Sequence, residues 1–287
     1  MKRLFIPFFA GAVTCCTGTA AHAQEFKTHV SKEFTVTGNS ANTLSVYNLQ
    51  GFIKVEGYSG NKVVIEVDET ISANDNEKLE TGKKEFKLAF EQNGDSMIAY
   101  IAAPYDSRPH RNRDDWDDHR RIEYRYNLEF TIKVPAATNL VVSTVNQGSI
   151  TVKDVAGILS VNNVNGPIAI TNAKGTTHAH TVNGAVTASF LSNPPGESSF
   201  NTINGEIRVT YQPNLSADLQ FKSMNGQFYT DFQDINILPA KVVKNQETNS
   251  GTTVYKLNAA SEVRIGTGGS SAKFQTLNGN IYIKKQS

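Results

Sequence analysis

Seven short segments of this 287-residue chain repeat one pattern, a glycine corner followed by an alternating run. They read LQGFIKV (49–55), NQGSITV (146–152), VNGPIAI (164–170), VNGAVTA (182–188), INGEIRV (203–209), MNGQFYT (224–230) and LNGNIYI (277–283). The corner glycines are Gly51, Gly148, Gly166, Gly184, Gly205, Gly226 and Gly279. Steps of 18, 18, 21 and 21 residues separate Gly148 to Gly226, while the outer steps of 97 and 53 hold insertions. A unit near 20 residues is too small to bury its own apolar side chains against the entropy of ordering the chain. It must stack on like neighbours, and that requirement governs the fold.

Two residues after the glycine stand Ile53, Ile150, Ile168, Val186, Ile207, Phe228 and Ile281; four after it the residues are again mostly apolar. Between them lie Lys54, Thr151, Ala169, Thr187, Arg208, Tyr229 and Tyr282. This period of two predicts a half-buried strand in each unit. Ahead of the glycine, positions −2 and −5 are mostly apolar; their odd separation requires a bend there. Asn-Gly at the corner predicts a positive φ, which a Cβ would resist. Asn-Gly is also the best hairpin turn, so a meander or sandwich is the competing fold. Successive units run in the same direction with the same side-chain order. The prediction is therefore an all-β chain, a β-solenoid of ~18–21-residue coils with an inserted antiparallel hairpin region. Asn165, Asn183, Asn204 and Asn225 should form a polar ladder along one corner.

Residues 1–23 read as a secretory signal: Lys2 and Arg3, a short apolar stretch from Leu4 to Val13, and Ala21-His22-Ala23 before a cut. The mature chain, 24–287, then starts at Gln24 and reads as a single domain. The cut takes two of the 28 basic residues and none of the 27 acidic ones, so the net charge moves from +1 to −1. Neither value draws nucleic acid or an anionic membrane. No run after the signal reaches the ~20 apolar residues of a membrane helix. Both cysteines, Cys15 and Cys16, fall in the removed segment, which excludes thiol catalysis and thiolate metal sites in the mature chain. Lipidation of Cys15 or Cys16 is the rival, though Thr14 fits a lipobox poorly.

The first insertion, 62–134, is expected to supply strands over 62–70 and 123–134, a helical turn within 74–84 and a hairpin around Asn93-Gly94-Asp95. These should sheet together and cover one end of the stack, since a bare end would pair with other chains. The second insertion, 230–270, is expected to hold short strands at 251–257 and 262–265.

The opening VYNLQG (46–51), IKVEGY (53–58) and VVIEV (63–67), with the ending FQTLNGNIYIKK (274–285), resembles the bacterial putative-adhesin domain family, a domain of unknown function. The resemblance spans nearly the whole mature chain. It implies an exported envelope protein of a Gram-negative bacterium and supplies no catalytic residues to carry over.

Chemistry-bearing residues are sparse. His178 and His180 flank Ala179 on one predicted strand face; two imidazoles without a third ligand make no zinc site. Asp114, Asp115, Asp117 and Asp118 surround Trp116, the single tryptophan, inside a loop at 106–121 that also carries five arginines. The spacing lacks the alternation and glycine of a calcium loop. The default is a solvated, self-neutralising loop; the sharper expectation is a binding tip of Trp116, Arg113, Asp115, Asp117 and Arg120. The outward coil positions read as Thr, Ser, Asn and Lys with no recurring aromatic stripe. Asp154, Glu206 and Asp218 fall at different places in the repeat, so no paired acids recur on one face for glycan hydrolysis. The expectation is a non-catalytic envelope or surface protein, an adhesin or scaffold without a cofactor, whose partner is a protein or glycan. The alternative is a polysaccharide-active solenoid enzyme.

Overall fold

The computed structural model describes residues 24–36, 42–109, 122–239 and 261–287, and the backbone of 242–245 and 254–257. The predicted signal therefore lies outside the described residues. One 10-stranded sheet runs, edge to edge, Gln24–Thr35, Lys62–Ala73, Tyr124–Pro135, Ile53–Tyr58, Ile150–Lys153, Ile168–Ala173, Val186–Phe190, Ile207–Tyr211, Ile281–Lys285 and Phe228–Thr230. The second, 11-stranded sheet runs Ile235–Leu238, Ser261–Ile265, Ala217–Asn225, Ser270–Asn278, Ser198–Asn201, Thr177–His180, Leu159–Asn162, Asn139–Ser143, Thr43–Tyr47, Ser96–Ala103 and Lys87–Asn93. Val242–Asn245 and Val254–Leu257 pair separately. The protein is thus nearly all-β, with two large mixed sheets, neither closed on itself.

The repeat explains the parallel centre of both sheets. Each unit contributes one strand to the second sheet, turns at the glycine, and contributes the next strand to the first. Like residues pair with like: Ile150 with Ile168, Ile168 with Val186, Val186 with Ile207. These side chains point between the sheets and are fully buried. Each contributes roughly 1.5–3 kcal/mol when covered. Phe274 stacks on Phe200 and on Phe221, at 5.3 Å between centroids in both cases.

The order of stacking departs from the order of the sequence. Ile281–Lys285 lies between Ile207–Tyr211 and Phe228–Thr230, and Ser270–Asn278 lies between Ser198–Asn201 and Ala217–Asn225. The final unit is therefore interior, and the unit before it is the outermost of the repeats, at the edge of the first sheet and flanked by Ser261–Ile265 in the second. The Asn ladder runs accordingly from Asn146 through Asn165, Asn183, Asn204 and Asn278 to Asn225, each side-chain bond 2.7–2.8 Å long. The physical reason lies in the residues that end each unit. Ile281 and Ile283 suit a site covered on both sides; Phe228 and Thr230, both half-buried, suit one covered on one side.

The corner glycines also need a different explanation. Only Gly51 (φ +106°) and Gly279 (φ +158°) have positive φ among the seven. What excludes a side chain is the neighbouring repeat unit: a Cβ at Gly184 would meet the carbonyl of Gly166, and one at Gly205 the carbonyl of Gly184. At the Asn146-Gln147-Gly148 corner, Gln147 (φ +58°) absorbs one extra residue, which puts Asn146 in the ladder.

The strands of the 62–134 insertion lie at one end of the stack as expected, but they do not form one sheet: Lys62–Ala73 and Tyr124–Pro135 extend the first sheet, and the hairpin Lys87–Asn93 and Ser96–Ala103 extends the second. Lys62–Ala73 and Tyr124–Pro135 pair antiparallel, and the latter joins Ile53–Tyr58 in parallel. The hairpin turns at Gly94 (φ +57°). The helix, Asn76–Glu85, starts where Asp75 accepts the Lys78 N–H at 2.9 Å and ends as Phe86 turns extended. It buries Leu79 and Gly82, and its Gly82 leaves room for Tyr124. Gln24–Thr35, not foreseen as a strand, pairs with Lys62–Ala73 and forms the outer edge.

Candidate binding surface

Arg113, Asp115, Trp116, Asp117 and Arg120 all lie outside the described residues, as does 110–121 as a whole. The base of that loop is described, and it is fixed. The Arg108 guanidinium lies 3.9 Å from the centre of the Tyr100 ring and pairs with Asp106 at 2.7 Å. The Tyr100 hydroxyl donates to Glu91 at 2.5 Å, and that bond is the main reason its pKa is raised. The Ser107 hydroxyl donates to the Tyr47 carbonyl and accepts the Ile101 N–H, both at 2.8 Å.

A second ladder, missed in the sequence, runs inside the corner. Thr144, Asn163, Thr181, Thr202, Thr276 and Ser223 each donate to the glycine carbonyl of the adjacent coil, at 2.9–3.1 Å. Its signal was legible: Asn, Thr or Ser stands three places before six of the seven corner glycines, between the mostly apolar positions −5 and −2. These groups hold coils together and are not available to a ligand.

The three acids of the repeats that the sequence singled out each have a partner of their own. Asp154 accepts from Asn172 at 2.8 Å, which holds its pKa down, and Glu206 accepts from Arg208 at 2.9 Å. Asp218, in the other sheet, takes two bonds from Arg264, at 2.7 and 2.8 Å. His178 and His180 both face outward, and the Nδ1 of His178 lies 2.9 Å from the Ser199 hydroxyl. Near the far edge, His29 lies 2.7 Å from both Asp68 and Glu66, which raise its pKa, Asp68 the more strongly. Among the described residues no group of three or more His, Cys, Asp or Glu side chains could hold a metal, and no helix is long and apolar enough to cross a membrane.

The outer face of the first sheet offers a different arrangement. Parallel registers line up Lys54, Thr151, Ala169, Thr187, Arg208, Tyr282 and Tyr229 in one row. Tyr282 and Tyr229 stack at 5.1 Å with an interplanar angle of 11°, and the Arg208 guanidinium covers the other side of Tyr282 at 4.7 Å. The absence of an outward aromatic stripe, expected from the sequence, is therefore corrected at this end of the row. The two tyrosines are 53 residues apart and occupy the same repeat position. The interior placement of the final unit sets Tyr282 against Arg208 and leaves Tyr229 at the edge.

No family model matches the chain, and no curated protein does. Among solved structures, a putative cell adhesion protein from Clostridium sporogenes ATCC 15579 aligns over 90% of this chain and 100% of its own, with 12% identity and a TM-score of 0.37. A putative adhesin from Bacteroides fragilis NCTC 9343 aligns over 90% and 97%, with 11% identity and a TM-score of 0.33. A putative lipid binding protein from Parabacteroides distasonis ATCC 8503 aligns over 90% and 97%, with 10% identity and a TM-score of 0.30.

Proposed function

We propose that this chain is an exported, non-catalytic envelope or surface protein: one β-solenoid domain, 24–287, that holds a protein or glycan against its outer face. The observation that carries this reading is the row from Lys54 to Tyr229. It repeats one outward position per coil on a parallel sheet whose inner residues are fully buried. A rigid, evenly spaced row suits an extended partner, because its side chains are ordered before the partner arrives. The signal-like residues 1–23 support export, and the spread of Asp154, Glu206 and Asp218 over separate places, each held by its own partner, favours binding over hydrolysis.

Two measurements test this. Expressed with its own N-terminal segment, the protein should be recovered outside the cytoplasm with an intact mass starting at Gln24. A lipid-modified Cys15 or Cys16 would overturn that cleavage. Soluble polysaccharides in a native gel should retard its migration and keep their own chain length, with and without calcium. Release of oligosaccharides would replace this reading with the polysaccharide-active enzyme.

A further inference from the structure

We infer that the end of the outer row is a glycan platform, and that a neutral pyranose ring seats on the outer face of Tyr229. The inference rests on the reading above and narrows its partner to one chemistry and one place. Arg208, Tyr282 and Tyr229 form a stack with two unlike ends. The guanidinium closes one end; Tyr229, on the last strand of the sheet, is the other and is 45% exposed. A ring stacked on Tyr229 continues the series.

The surroundings match a sugar on both of its surfaces. The face of an aromatic ring is electron-rich and attracts partial positive charge, which the axial C–H groups of a pyranose carry. The hydroxyls around that ring need polar groups at the rim. Gln227 and Asn280 provide amides beside the tyrosines, and Glu206 a carboxylate beside Arg208. The Tyr229 hydroxyl donates to Gln227 Oε1 at 2.8 Å, Asn280 Nδ2 donates to the Tyr282 hydroxyl at 3.2 Å, and Asn280 Oδ1 accepts the Gln227 N–H at 2.9 Å. These bonds hold both rings in place, so little side-chain freedom is lost on binding.

Other partners fit less well. A protein interface buries about 800 Å² per side around an apolar centre. Beyond the tyrosines the row continues as Arg208, Thr187, Ala169, Thr151 and Lys54, with no further large apolar side chain to form such a centre. Nucleic acid could stack on Tyr229, but it also needs several cations along its phosphates. Here the row holds two cations, Arg208, already paired with Glu206, and Lys54 at its far end.

The test is calorimetric titration of the purified full chain with cellohexaose, maltohexaose and laminarihexaose. At least one should bind. Tyr229→Ala should weaken that binding by at least about fivefold, Tyr229→Phe by less, and Lys174→Ala, exposed and outside the row, not at all. Tyr229→Ala should melt within about 2 °C of the parent, as surface changes do. Failure of all three hexaoses to bind overturns the platform. Binding that survives both Tyr229→Ala and Tyr282→Ala also overturns it, and leaves the broader glycan-binding reading standing. Shortening of the hexaose instead overturns the non-catalytic reading beneath it. A dimer in size-exclusion chromatography that Tyr229→Ala dissolves, without sugar binding, would assign the tyrosines to a contact between two copies.

Discussion

Gly205→Ala and Gly94→Ala, compared as a pair, separate two reasons for a glycine. At Gly205 a Cβ would lie 2.1 Å from the Gly184 carbonyl oxygen, 1.3 Å inside the 3.4 Å where ordinary contact begins. The next atoms, Gly184 C at 2.6 Å and Ala185 N at 3.1 Å, are also backbone and cannot rotate away. The coils must separate locally. The bonds that hold them there are Gly184 N–H to Asn204 O and Val186 N–H to Glu206 O, both 3.0 Å, with the Thr202 and Asn204 side-chain bonds at 2.9 and 2.8 Å. Overpacking costs about 1–3 kcal/mol, and weakening several bonds of ~0.5–1.5 kcal/mol each adds to it, for a total of about 3–4 kcal/mol. In a domain of this size that lowers Tm by about 6–8 °C or more. Gly94 is the converse: φ is +57° and nothing lies within 4 Å of an added Cβ. Its alanine variant bears only the left-handed strain, about 1 kcal/mol and about 2 °C. Scanning calorimetry of both variants decides the matter. If Gly94→Ala melts as low as Gly205→Ala, or Gly205→Ala melts within about 2 °C of the parent, close approach is not what the corner glycines serve.

Thr202→Val removes the bond to the Gly184 carbonyl at nearly constant shape and should cost about 1–2 kcal/mol in urea unfolding, while Thr202→Ser recovers most of it. Phe274→Ala should cost about 3–5 kcal/mol, because the ring fills the space between Phe200 and Phe221. A loss under about 1 kcal/mol would contradict the interior position of the last unit. His29 gives a pH dependence of definite sign. Its folded pKa is raised above the ordinary 6.5 by Asp68 and then Glu66, with Glu129 paired opposite Asp68 on the neighbouring strand. The contribution is complete below 6.5 and fades as pH rises through the raised folded value. The Tm gap between the parent and His29→Asn should therefore shrink from pH 6 to pH 9, and a constant gap would refute the pairing.

Much of the architecture was legible because it is written in local chemistry. The alternation after each glycine requires a strand with one buried face, and Ile168, Val186 and Ile207 are buried as that alternation demands. Asn-Gly repeated at 18 and 21 residues requires like to lie beside like, and Asn165, Asn183 and Asn204 do. The hairpin at Gly94, the helix after Asp75 and the strand through Leu128 and Phe130 follow from turn, cap and period signals of the same short range.

Two matters were decided only in three dimensions. Gly205 carries the same Asn-Gly signal as a positive-φ turn, but its real constraint is a carbonyl 21 residues away in sequence. The place of the last unit was equally hidden. Every coil presents the same register to its neighbour, so the pattern says that units stack without saying in which order. Burial decides: a coil ending in Ile281 and Ile283 is stabilised more by two covering neighbours than one ending in Phe228 and Thr230, and the 53-residue excursion before Gly279 is long enough to let it insert. That choice sets Tyr282 between Arg208 and Tyr229, leaves Tyr229 on the edge strand, and makes the surface on which a function is proposed. Sequence determines a strand, a corner and a repeat because each depends on side chains a few residues apart; which coil lies beside which is a competition for buried area, and only the folded chain resolves it.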